Sequence, residues 1–250
     1  MDSSGSCRLI TRTIGIGRAS AIALSKAGWS IVLFARRIDD LNETKSLCID
    51  SEKVHVVQGN VTDEEDVAKL FQTTINHFGR LDVLFNNAGI SARAIPIEEM
   101  PLSQFQNIVN VNLIGNFLCT REAIKIFKSQ TPQGGRIINN GSISAYTPRP
   151  HSAPYTATKH AVLGMTKSTL LDGRNFNITC TQIDIGNAQT DMAGSHSGGA
   201  LQPNGQVVPE HMMDVTHVGE AVAYIADLPL GVTVLTFNIM ATRMPFVGRG

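Results

Sequence analysis

The 250 residues are 42% hydrophobic and 17% charged, enough apolar material for one large or two small cores, which excludes a chain disordered throughout. Lys+Arg 21 against Asp+Glu 21 leave a formal net charge of zero. With no basic stripe interleaved with aromatics, no nucleic-acid partner is expected. The four cysteines, Cys7, Cys48, Cys119 and Cys180, stand far apart without CxxC or Cys/His spacing, so no metal site is expected and they read as reduced, buried hydrophobes. No apolar run approaches the ~18 residues of a membrane span, and Met1–Gly5 carries no secretory pattern, so a cytoplasmic protein with no membrane partner is expected.

Short apolar runs rich in β-branched residues alternate with longer stretches of helical period. This is the pattern of βαβ units around a parallel sheet. Strands are predicted over 8–11, 30–35, 54–58, 81–85, 136–140, 178–183 and 232–237. Several lack alternation, as expected when helices cover both faces. Thr62-Asp63-Glu64-Glu65 reads as a capping box, and Val67, Leu70, Phe71, Ile75 and Phe78 follow at helical spacing. Residues 192–209 hold four glycines and two prolines with little periodicity and read as a long irregular loop, a lid. The expected architecture is α/β: residues 1–250 as one doubly wound domain of about seven parallel strands, with a C-terminal tail over 240–250.

Four segments carry candidate chemistry. Thr11-Arg12-Thr13-Ile14-Gly15-Ile16-Gly17 follows the first strand and opens a helix. Glycines there let backbone N–H groups approach a diphosphate at the helix N-terminus. The second strand ends at Ala35-Arg36-Arg37, where an NAD-binding unit would place an acid on the ribose. Arg36 offers instead a bidentate donor for a 2′-phosphate, so the reading favours NADP(H) over NAD(H). The alternative is a solvated basic pair facing Asp39 and Asp40. Asn86-Asn87-Ala88-Gly89 closes the fourth strand with small and amide residues suited to a cofactor crevice, and Asn87 is expected to tie strand ends together as well. Tyr155-Thr156-Ala157-Thr158-Lys159 puts a phenol and an ammonium on one helix face, where the cation stabilises a phenolate for acid/base work on an alcohol–carbonyl pair.

In order and spacing, Gly15-Ile16-Gly17, Asn86-Asn87-Ala88-Gly89, Asn112, Ser142, Tyr155, Lys159 and 185–190 resemble the short-chain dehydrogenase/reductase family along essentially the whole chain. The resemblance implies an oxidoreductase acting on a small alcohol or carbonyl substrate. Tyr155 would be the acid/base, Ser142 the partner of the substrate oxygen, and Lys159 a ribose contact that eases loss of the Tyr155 proton. Asn112 would hold a water in a proton relay. The resemblance further implies cofactor contacts at Asn60, Val61, Asn87, Ala88, Gly89, Gly186, Ala188 and Thr190, and a homotetramer or dimer. Met244-Pro245-Phe246-Val247-Gly248-Arg249-Gly250 resembles one microbial branch. The glycine loop departs from the family's: it is one residue shorter, and Arg12 stands where the first glycine belongs, to obstruct the diphosphate or pair with it. A nucleotide-binding protein with weak or absent catalysis is therefore the competing expectation.

Overall fold

The computed structural model describes residues 6–91, 93–190 and 199–247. Seven parallel strands form one sheet in the order β3-β2-β1-β4-β5-β6-β9. They are β1 (Cys7–Thr11), β2 (Ser30–Ala35), β3 (Val54–Gln58), β4 (Val83–Asn86), β5 (Gly135–Asn140), β6 (Ile178–Ile185) and β9 (Thr236–Ile239). Helices α1 (Ile16–Lys26), α2 (Ile38–Ser46) and α7 (Val215–Asp227) pack one face, through Leu24, Leu41 and Ile225. On the other face lie α3 (Glu64–Phe78), α5 (Gly115–Ser129) and α6 (Ala153–Gly173), packed through Phe71, Phe127 and Leu170. The short α4 (Leu102–Val109) runs through a π turn, Asn110–Ile114, into α5. No helix among the described residues is long and apolar enough to cross a membrane.

The expected α/β fold, a doubly wound sheet of seven parallel strands, is the observed one, and β2 and β3 have the expected bounds. The other boundaries move where backbone groups find better partners. Strand β4 starts at Val83 rather than Leu81, because the peptide groups of Leu81 bond the Gln130 side chain (Leu81 N to Oε1 3.1 Å, Nε2 to Leu81 O 2.7 Å). The last strand begins at Thr236, not Val232. The carbonyl of Val232, with those of Leu228 and Pro229, accepts from Nη2 of buried Arg136, which draws this β-branched stretch out of the sheet. The helix cap is Asp63 rather than Thr62: its Oδ1 accepts from the N–H groups of Glu65 and Asp66. Within the stretch expected to be irregular, β7 (Ala200–Leu201) and β8 (Val207–Val208) form a small antiparallel hairpin. Its turn carries Gly205 at φ 82°. Residues 192–198 of that loop, Gly248, Arg249 and Gly250 lie outside the described residues.

Strand β1 is central although its sequence is short and polar. Arg8, only 4% exposed, lays its guanidinium 3.6 Å over the Trp29 ring and beside Asp82, which also accepts from the Cys7 N–H. All four cysteines are free and buried, as expected, and burial pushes the Cys119 and Cys180 thiols up to about 12. Phe127 is fully buried where α5 meets the sheet. Phe127→Ala should lower stability by roughly 3–5 kcal/mol, read as a fall in Tm of at least about 6 °C; an unchanged Tm would contradict this packing.

Candidate active site

The strand order reverses between the parallel neighbours β1 and β4, and the loops after them part to leave a crevice at the carboxyl edge of the sheet. Gly15, Ile16, Asn87, Gly89, Ser142, Tyr155, Lys159, Gly186, Ala188 and Thr190 line it together. Gly17, Ala88 and Asn112 belong to the segments just behind that lining, while Arg36, Asn60 and Val61 follow β2 and β3 farther along the same edge. Residues 199 and 200 of the expected lid contribute to the lining, and so do Ile90 and Ser91 after β4. Gln189 N–H bonds Met213 O at 2.9 Å, so Met213 braces the loop after β6, while Met212 faces the crevice.

The glycine loop is built around Arg12, which adopts φ 57°, a conformation natural to glycine and strained for other residues. Two bonds hold it: Arg12 N–H donates to Phe34 O at 2.7 Å, and Asn87 Nδ2 donates to Arg12 O at 2.6 Å. That carbonyl lies so close to α1 that a Cβ on Gly17 would sit 1.9 Å from it, so position 17 admits glycine alone. Arg12 also lines the crevice. Burial, followed by the charges of Arg36 and Arg37, holds its guanidinium below the usual arginine range. Arg37 is paired with Asp40, as one expectation had it, whereas among the described residues no carboxylate pairs with Arg12 or Arg36.

Asn87 does tie strand ends together. Its Oδ1 accepts from Asn140 Nδ2 at 2.8 Å, while Thr11 Oγ1 accepts from the N–H groups of both Asn87 and Ala88 at 3.0 Å. Asn140 O in turn accepts from Lys159 Nζ at 2.7 Å. A continuous hydrogen-bonded line thus runs from the glycine loop to helix α6. Lys159 is 94% buried by this means and stands 5.4 Å from the centre of the Tyr155 ring. Asn112, on the π turn, spends its amide on the Ile90 backbone (N–H to Oδ1 2.8 Å, Nδ2 to O 3.0 Å). Its side chain therefore fixes the loop after β4; π turns of this kind leave backbone carbonyls outside the regular ladder.

The Oγ of Ser142 accepts from Ser144 N–H at 3.1 Å, which leaves its own proton for another partner. Behind it stands a residue that the sequence reading missed. Asp184, fully buried on β6, accepts from Ser142 N–H (3.0 Å), Gln182 Nε2 (2.7 Å) and Tyr146 Oη (2.9 Å). Burial pushes this carboxyl up, against the pull of those three bonds and of Lys159. Burial and Asp184 together push the Tyr146 phenol up to about 12. A lone acid between Ile183 and Ile185 in a buried strand was the available signal. A second missed cluster closes the far wall. Arg149 bonds both Asn187 Oδ1 (2.9 Å) and the carboxylate of Glu210, which also accepts from Asn187 and Gln202.

With this geometry in view, the similarities to known proteins are consistent. Residues 9–199 match the short chain dehydrogenase family model. The chain is 30% identical over 230 residues, 90% of itself and 91% of the relative, to a 3-oxoacyl-[acyl-carrier-protein] reductase of Synechocystis sp.. Among solved structures, a 3-ketoacyl-(acyl-carrier-protein) reductase from Brucella melitensis complexed with NADH superposes with TM-score 0.83 at 26% identity, covering 96% of this chain and 98% of the other. An actinorhodin polyketide ketoreductase variant with NADPH gives TM-score 0.83 at 26% identity over 94% and 95%. The chain belongs to the short-chain dehydrogenase/reductase family. It is accordingly an oxidoreductase of CH–OH and C=O groups.

Because the folded chain holds the Asp184 proton more tightly than the unfolded chain does, stability falls as pH rises from the ordinary carboxylate range through the raised folded value. Asp184→Asn removes that loss. The Tm of the variant minus that of the parent should therefore grow as pH rises from about 4 and level off above the folded value. A difference independent of pH would rule out a raised Asp184.

Proposed function

We propose that the chain is an NADP(H)-dependent oxidoreductase that interconverts a secondary alcohol and a ketone or aldehyde, with Tyr155 as general acid and base. The observation that carries this reading is the convergence of Tyr155, Ser142 and Lys159 on one crevice, with a free hydroxyl proton on Ser142 and an anchored ammonium beside the phenol ring.

The residues fit a nicotinamide dinucleotide. Gly15, Ile16 and Gly17 present the N-terminus of α1 to a diphosphate, and Gly186, Ala188 and Thr190 face them across the crevice, with Thr190 Cγ2 3.0 Å from where a Cβ on Gly15 would lie. Asn60 and Val61 at the end of β3 would take the adenine. Arg12 and Arg36, without carboxylate partners among the described residues, form a site of positive charge suited to a 2′-phosphate. The Brucella reductase is complexed with NADH and the actinorhodin ketoreductase with NADPH, so both cofactor types occur among similar proteins. The arginines are the reason for choosing NADP(H) here.

When bound, the cofactor would supply a hydride to the carbonyl carbon, or accept one in the reverse direction. Tyr155 passes its phenolic proton to the oxygen that becomes the alcohol, while Ser142 donates a hydrogen bond to that same oxygen. Lys159, held by Asn140 O, stabilises the phenolate that remains. Asn112 at the π turn holds a water that links Lys159 to solvent, so that Tyr155 regains its proton from outside. The active form is a cytoplasmic homo-oligomer joined through α5 and α6, where Phe117 and Leu171 stay 45% and 63% exposed.

Titration of the purified chain with NADPH and NADH, followed by nicotinamide fluorescence, is the first test. NADPH should bind more tightly, and Arg36→Ala should weaken NADPH by roughly 10-fold or more while sparing NADH. If neither cofactor binds at millimolar concentration, this function fails. In a screen of ketones with NADPH, Tyr155→Phe should cut turnover by at least about 100-fold and leave the cofactor Kd unchanged; undiminished turnover would remove Tyr155 from the chemistry.

A further inference from the structure

A carboxylate buried beneath an active site calls for an account, because the transfer of a charge out of water is costly unless the charge performs or supports something. Asp184 is completely buried, on a strand whose two neighbouring residues are isoleucines. Three donors converge on it. Oδ1 accepts from the Ser142 backbone N–H and from Gln182 Nε2, and Oδ2 accepts from the Tyr146 phenol. Gly141 makes room for this arrangement: a Cβ there would stand 2.3 Å from Asp184 Oδ1, so any other residue would displace the carboxylate.

The donors lie on both sides of the reacting hydroxyl. Ser142 is the residue just after Gly141, and Tyr146 lies at the end of the single 3-10 turn that follows, Ile143–Ala145. Ser142 Oγ itself accepts from Ser144 N–H inside that turn. Asp184 therefore clamps the segment at its first and last residues, while the Ser142 hydroxyl keeps its proton for another partner. Ser142 is 94% buried and Tyr146 41% exposed, so the clamp runs from the floor of the crevice to the surface.

We propose that Asp184, bracketed by Tyr146, is a positioning residue: it fixes Ser142 from behind so that the serine proton is aimed at the substrate oxygen. This rests on the reading of Ser142 as the partner of that oxygen. Asp184 touches neither substrate nor cofactor; it acts through the Ser142 N–H. Asparagine at 184 would keep an oxygen for Ser142 N–H and Gln182 and turn its Nδ2 to the Tyr146 oxygen. Alanine would remove the bonds that tie Ser142 N–H and Tyr146 Oη to β6.

The test pairs kinetics with a readout that needs no cofactor. With NADPH and the ketone consumed fastest in the screen, Asp184→Ala should lower kcat by roughly 10- to 100-fold with the KM for NADPH unchanged, and Asp184→Asn should restore kcat to within about threefold of the parent. Adding Asp184→Ala to Ser142→Ala should cost little beyond Ser142→Ala alone, since one acts through the other. Additive losses, or no loss in Asp184→Ala, would overturn the proposal. Independently, hydrogen exchange measured by mass spectrometry on the peptide 138–146 should be faster in Asp184→Ala and in Tyr146→Phe, and near parental in Asp184→Asn. If Asp184→Ala does not fold, Tyr146→Phe, altered at a half-exposed position, decides: unchanged exchange together with unchanged kcat overturns the bracket. If Ser142→Ala leaves kcat intact, the role given to Ser142 fails, and the exchange data still judge the clamp by themselves.

Discussion

The site depends on one line of hydrogen bonds across the carboxyl ends of the strands: Arg12 O to Asn87, Asn87 to Asn140, and Asn140 O to Lys159. Parallel strands are held side by side by their ladders, but their ends are free to splay where ladders stop. Asn87 and Asn140 close that gap with side-chain amides, each of which can donate and accept at once. The consequence is that the phosphate-facing loop, the floor of the crevice and the cation beside Tyr155 share one rigid frame. A second amide group, Asn86 with Asn116, Thr120 and Asn139, repeats the device one layer deeper, fully buried between β4, β5 and α5.

The shortened glycine loop fits the same frame. A residue with φ near +57° would ordinarily be glycine; here Arg12 is kept in that conformation by bonds to Phe34 O and from Asn87 Nδ2. The backbone strain, of order 1–3 kcal/mol in such cases, is carried by neighbours that over-determine the turn. Arg12 thus lines the crevice and adds its charge to that of Arg36.

Charges inside the sheet form the other unusual feature. Arg8, Arg136 and Asp184 are each at least 96% buried on β1, β5 and β6. Each is matched to partners that only the assembled fold provides: Trp29 and Asp82 for Arg8, three loop carbonyls for Arg136, and the catalytic turn for Asp184. The two arginines sit at the amino ends of their strands and serve the architecture. Asp184 sits at the carboxyl end, where the chemistry is.

The sequence by itself determined the alternation of strands and helices, the parallel sheet and the candidate residues of the crevice. Those features follow from local signals: β-branched runs, helical spacing, and the i, i+4 relation of Tyr155 and Lys159. Whatever depended on partners distant in the chain stayed out of reach. The last strand moved from Val232 to Thr236 because Arg136, some hundred residues earlier, claimed its carbonyls. The cap moved by one residue from Thr62 to Asp63, within the freedom that a run of capping residues leaves. Asp184 went unnoticed because its three donors come from Ser142, Tyr146 and Gln182, two of them about forty residues away. Local propensity is written into each segment, whereas the satisfaction of a buried charge is a property of the whole packed molecule, and only the tertiary structure could decide it.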